Sequence, residues 1–135
     1  LVRSSNKPYL SIRLAPGLSD AEIERVQGQH GFIFPPDLRL LLQTALPLTD
    51  DPRDFPNWRD GDPWIHRSLE EPRSCVCYGV RGFGFWWDGW GERPASPKDA
   101  SWLAYNAMSS MPRLIPIYGH RYVSGHPAAA GNPVM

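Results

Sequence analysis

The first half of the chain carries its apolar residues at helical spacing, and the later part gathers them into strand-like runs. Leu1 to Gly17 is polar, is interrupted by Pro8 and Pro16, and reads as an arm (residues 1–16) with one short strand at Tyr9–Leu14. Ser19-Asp20-Ala21-Glu22 then forms a capping box, with Leu18 and Ile23 placed to close a hydrophobic staple across it. The helix turns Ile23 and Val26 inward and stops at Gly31. Pro35-Pro36-Asp37 opens a second helix, in which Leu38, Leu41, Leu42 and Ala45 form a stripe widened by Leu40 and Leu46, and Pro47 ends it. Thr49 to Asp62 is a loop of Asp, Pro, Gly and Asn with Phe55 and Trp58 set into it, and Asp62-Pro63 starts a short third helix through Leu69.

Beyond Pro72 the pattern reads as strands at Cys75–Val80 and Phe83–Trp87, with Gly82 between them and a turn at Asp88-Gly89. Ser96 caps a fourth helix with Pro97 at its first position. Ala100, Leu103, Ala104, Ala107, Met108 and Met111 keep the helical period until Pro112. Leu114–Tyr118 is a buried strand whose Pro116 marks an edge or a bulge, and Gly119 onward is rich in turns. Helices first and strands later, with one helix between strands, predict a single α+β domain and not a wound parallel sheet.

Composition narrows the function. The 135 residues suit a single domain, and mean hydropathy is −0.41 with 41% hydrophobic residues, enough for a core. No run approaches the roughly 20 apolar residues of a membrane span. A net charge of +0 argues against direct nucleic-acid binding. That balance is uneven along the chain: residues 1–71 hold 8 basic and 11 acidic side chains, residues 72–135 hold 6 and 3. Most of the asymmetry is the loop carrying Asp50, Asp51, Asp54, Asp60 and Asp62 against Arg53 and Arg59. Scattered charge of this kind usually marks a solvated loop; the alternative is an acidic face that steers a basic partner, with Trp58 as its anchor.

Catalytic and metal chemistry find little support in the residues. Cys75, Cys77, His120 and His126 offer zinc-binding atoms, but one residue separates the cysteines and five the histidines, unlike paired zinc ligands. On a strand the two cysteines share a face, where a disulfide between them is strained. Free thiols and the lack of a signal-peptide pattern point to a cytoplasmic protein. There is no G-x-S-x-G elbow and no phosphate loop, and Asp88 with Glu92 reads as two solvated acids. No catalytic residue, metal or cofactor is expected. The aromatic run Phe83-Gly84-Phe85-Trp86-Trp87-Asp88-Gly89-Trp90-Gly91 is read as a small core in which one or two of Trp86, Trp87 and Trp90 serve a binding face.

With these residues in view the chain resembles the SUKH superfamily, the fungal cell-wall-synthesis-regulator type domain and its bacterial relatives. The likeness runs from Leu18-Ser19-Asp20-Ala21-Glu22-Ile23-Glu24 through Gly31-Phe32-Ile33-Phe34-Pro35-Pro36-Asp37-Leu38-Arg39-Leu40-Leu41-Leu42 and Phe55-Pro56-Asn57-Trp58-Arg59. It continues in Gly84-Phe85-Trp86-Trp87-Asp88-Gly89-Trp90-Gly91-Glu92-Arg93-Pro94, Leu114-Ile115-Pro116-Ile117-Tyr118-Gly119-His120-Arg121-Tyr122 and Gly131-Asn132-Pro133-Val134. The resemblance implies a SUKH-like α+β domain over residues 17–135, its N-terminal helices packed on a mainly antiparallel sheet, without catalytic residues. For the bacterial members it implies an immunity protein that binds and neutralises a cognate toxin, often a nuclease. The other reading is a regulatory scaffold of cell-wall metabolism that touches glycans through Trp86, Trp87 or Trp90. Cys75-Val76-Cys77 and Tyr78–Gly82 depart from the more acidic strand typical of the family. The family also continues past the Asn-Pro-Val block with another strand, an aromatic segment and a closing helix. The domain is therefore expected to lack its final element and to leave an open sheet edge. The sequence leaves the toxin and the oligomeric state open.

Overall fold

Ser19 opens the first helix as its capping box dictates. In the computed structural model, which describes residues 11–61 and 63–135, the Glu22 amide donates to Ser19 Oγ and the Ser19 amide to the Glu22 carboxylate, each at 3.1 Å. Helix α1 (Asp20–His30) buries Ile23 and Val26 and ends at Gly31, whose φ of 72° only glycine takes without strain. Helix α2 (Pro36–Thr44) buries Leu38 and Leu42, whereas Leu40 and Leu41 are exposed. The helix stops earlier than the leucine stripe predicts. Pro47 forces Leu46 into extended backbone, and Ala45–Leu48 leaves as strand β2, not as a last helical turn. It pairs antiparallel with β1 (Arg13–Pro16), so the end of the N-terminal arm is part of a sheet; Tyr9 and Leu10 of the expected strand lie outside the described residues.

The largest difference from the sequence pattern is α3. One helix runs from Pro63 to Phe83, through Pro72, where a short helix and a strand were expected. Cys75–Val80 is therefore helical. Ile65, Leu69 and Val80 are buried, and Val76 continues their near four-residue spacing across the proline. Proline has no amide for the carbonyl four residues back, that of Ser68. The Tyr122 hydroxyl donates to that carbonyl at 3.1 Å. The helix ends at Gly84, with φ of 69°. Phe85–Trp87 is irregular where a strand was predicted, and Asp88–Trp90 forms a 3₁₀ turn.

Helix α4 (Pro97–Met108) starts at Ser96, whose hydroxyl accepts from the Asp99 amide, and it buries Ala100, Ala104 and Met108. It runs antiparallel to the second half of α3: Arg73 donates to the Tyr105 carbonyl, and Cys77 Sγ lies 3.7 Å from that of Ser101. Strand β3 (Leu114–Tyr118) has the irregularity that Pro116 announces, a register shift between Pro116 and Tyr118. Its partner β4 (Arg121–Ser124) lies in the segment read as turns. The far edge of β4 is partly covered, because Tyr122 and Met135 exchange both backbone hydrogen bonds and Val134 bridges Val123.

The fold is α+β, with four helices and two antiparallel sheets of two strands each among the described residues, in place of one sheet. Two cores hold it together. The larger joins α1, α2, both sheets, the first half of α3 and the loop residue Trp58; the smaller comprises Val80, Ala100 and Ala104 under the half-buried Trp86 and Trp90.

Candidate functional site

Trp58 anchors the acidic loop from within. It is 2% exposed and meets Phe34 and Phe32 edge-on, with ring centroids 5.2 and 5.8 Å away. The expected contact residue of the partner face is thus a core residue, and its burial fixes the loop's middle. The next residue fixes it again. Arg59 donates to both Glu22 carboxylate oxygens, at 2.8 and 3.3 Å, and to the carbonyls of Pro16 and Gly17. Arg25 donates to the Arg59 carbonyl in turn. The Arg59 hydrogen bond, followed by that from the Ser19 amide, holds the Glu22 carboxyl down at about 2. A third tie is the Gly119 amide, which donates to the Asp54 carbonyl at 2.7 Å.

The acidic side chains spread outward from these ties. Asp50 is exposed and ion-pairs with Arg13 of β1. Asp51 takes a forked contact from Arg53, whose side chain and amide together hold its carboxyl at about 2. Asp54 accepts from the Thr49 hydroxyl at 3.1 Å, and exposed Asp60 from Asn57 Nδ2 at 3.0 Å. Asp62 lies outside the described residues. Arg13, Arg53 and Arg59 therefore interleave with the carboxylates, and the loop is less uniformly negative than its composition suggests.

Asp51 and Asp54 form one wall of a cleft of about 930 Å³, opposite the first half of α3. The other wall carries Trp64, Arg67, Glu70 and Glu71, and His120 also lines the cleft. The Arg67 guanidinium lies 4.8 Å from the Trp64 ring centre, and His120 Nδ1 lies 3.7 Å from Glu71. Asp51, Asp54 and Glu71 so come together from segments distant in sequence. A helix ending at Leu69 includes Trp64 and Arg67 but leaves Glu70 and Glu71 out of this wall. The signal that finds it is the spacing of Ile65, Leu69, Val76 and Val80, followed across Pro72.

The three tryptophans of the aromatic candidate occupy different positions. Trp86 and Trp90 pack edge-on, with centroids 5.2 Å apart, over the smaller core, and Trp86 Nε1 donates to the Gly91 carbonyl at 2.8 Å. Trp87 is 50% exposed, with its six-membered ring against Gly89. Cys75 and Cys77 are free thiols on opposite sides of α3, because two helical residues turn the chain through about 200°. Among the described residues no group of three or more His, Cys, Asp or Glu side chains is placed to hold a metal ion. No described helix is long and apolar enough to cross a membrane. Set against protein-family models, curated proteins and solved structures, the chain finds no match.

Proposed function

We propose that the chain is a non-enzymatic protein-binding module of the SUKH immunity type: a bacterial, cytoplasmic protein that occludes the basic surface of a cognate toxin, a nuclease being the class such an acidic face suits. The observation that carries this reading is the pre-formed acidic loop. Trp58, Arg59 and the Asp54 carbonyl fix an irregular segment in one conformation, so little ordering entropy opposes a partner. The pair Arg13–Asp50 is largely exposed, and such a pair holds weakly. A cation of a partner can replace Arg13 at small cost. The binding surface is the outer loop with Asp50 and Asp60, together with the cleft of Asp51, Asp54 and Glu71; Trp58 supports it from below.

Co-expression with the toxin domain encoded beside this gene tests the reading. The expected result is protection of the host and a complex that weakens steeply with salt. A neighbouring toxin that neither binds nor is neutralised overturns it. The second reading, a glycan-contacting scaffold, is favoured by the open face of Trp87 alone. Cell-wall oligosaccharides that change Trp87 fluorescence, in a chain with its other tryptophans replaced by phenylalanine, would support it.

A further inference from the structure

On α3 beyond Pro72, Ser74, Tyr78 and Arg81 share one helical face; on α4, Lys98, Ser101, Trp102 and Tyr105 share another. Between these faces runs a groove of about 690 Å³. Its floor is small, Cys77 against Ser101, and its walls are large: Tyr78 is 66% and Trp102 70% exposed. Rings of this size left so open on two adjacent helices are a costly arrangement for a surface with no occupant.

The charge of the groove says what fits it. No carboxylate lines it. Because the helices are antiparallel, Arg81 and Lys98 lie at the same end of the groove, and neither has an ion-pair partner among the described residues. Lys98 also sits in the first turn of α4, where the helix dipole adds to its positive charge. Asp99 beside it is exposed and is not part of the groove wall.

We infer that this groove docks an amphipathic helix whose apolar face, at i, i+3/i+4 and i+7, seats between Tyr78 and Trp102 and whose acidic end meets Arg81 and Lys98. The occupant completes a three-helix packing against α3 and α4. Single-stranded nucleic acid also stacks on aromatic rings, but its affinity rests on many phosphate contacts and this groove offers two cations. The groove adjoins the acidic cleft, since Ser74 lines both, but it takes a partner of opposite charge and is tested on its own residues, so it stands or falls independently of the toxin-binding reading.

The two thiols supply the test. Cys77 lies in the groove and Cys75 outside it, so alkylation of each, resolved by fragment mass spectrometry, reports occupancy against an internal reference. The probe is a synthetic helical peptide with leucines at i, i+3, i+4 and i+7 and glutamates at its C-terminal end. At about ten times its Kd it is expected to slow Cys77 alkylation about tenfold and to leave Cys75 unchanged. The same peptide with lysines for glutamates is expected to give no protection. The exposed double variant Arg81→Glu/Lys98→Glu is expected to exchange these preferences, protected by the lysine peptide and not by the glutamate one. Equal protection by both peptides or by neither overturns the proposal. So does protection by oligo-dT in their place, or protection that rises with protein concentration alone, which marks a second copy as the occupant.

Discussion

The hydroxyl of Tyr122 donates to the carbonyl of Ser68 at 3.1 Å and so replaces, from another element, the hydrogen bond that Pro72 removes from α3. The same hydroxyl lies 3.3 Å from the Glu71 carboxylate. The tyrosine of β4 thus makes a continuous α3 compatible with an internal proline.

Tyr122→Phe is expected to destabilise the protein by about 1–2 kcal/mol, the cost of leaving a helical carbonyl unpaired. In a Pro72→Ala background the amide at position 72 can bond Ser68 itself, so the same substitution should cost less. Urea unfolding of the four proteins of this cycle measures the coupling, and strict additivity would count against the relay.

Alkaline stability follows from the same group. Burial, then the charge of Glu71, pushes the Tyr122 hydroxyl up to about 12 from 10.0. The native state keeps a proton that the unfolded chain loses, so this stabilisation is complete below pH 10 and is lost as pH rises towards 12. Thermal melts across that window should fall for the parent and flatten for Tyr122→Phe.

At the acid end the sign reverses. Glu22 is held at about 2 against an ordinary 4.5, chiefly by Arg59. Its contribution is complete above pH 4.5 and disappears as pH falls towards 2. Glu22→Gln should lower the melting temperature at pH 7 and leave it nearly unchanged at pH 2, so the two pH profiles converge in acid. Parallel profiles would refute the assignment.

Trp58→Ala is expected to cost about 3–5 kcal/mol, the usual range for emptying a buried aromatic position. It should also free the acidic loop, which limited proteolysis between Asp50 and Asp60 would detect. Loss of stability with the loop still resistant would mean that Arg59 and Gly119 suffice to hold it.

Gly17→Ala should be among the most damaging small substitutions. A Cβ there would lie 1.8 Å from the Gln43 carbonyl oxygen, a backbone atom that cannot step aside. The Leu18 amide bonds the Leu42 carbonyl next to it, so the clash would pry the start of α1 from the end of α2. A melting temperature unchanged by the substitution would contradict this packing.

The elements legible in the sequence were those with local signals. Ser19 and Glu22 mark the start of α1, Gly31 its end, Ser96 the start of α4 and Pro116 the irregularity of β3. Where the decisive partner is distant, the pattern misled. Pro72 looks like a helix stop because its compensation comes from Tyr122, fifty residues on. The acidic loop was legible as charge and not as geometry: Trp58 looks like an exposed anchor until Phe32 and Phe34 close on it, and Asp51 like a free acid until Arg53 folds back. The strand read at Phe83–Trp87 failed because Gly84 turns the chain and Trp90 gathers the rings of Phe85, Trp86 and Trp87 around itself.

Helix α3 has 21 residues and so extends about 31 Å, with Ile65 and Leu69 in one core and Val80 in the other. The smaller core has too few apolar atoms to be stable by itself. Its order depends on the helical backbone that reaches it from the larger one. Cooperativity in this domain is therefore directional: unfolding of the larger core must take the aromatic end with it, whereas the aromatic end can open while the rest stays native.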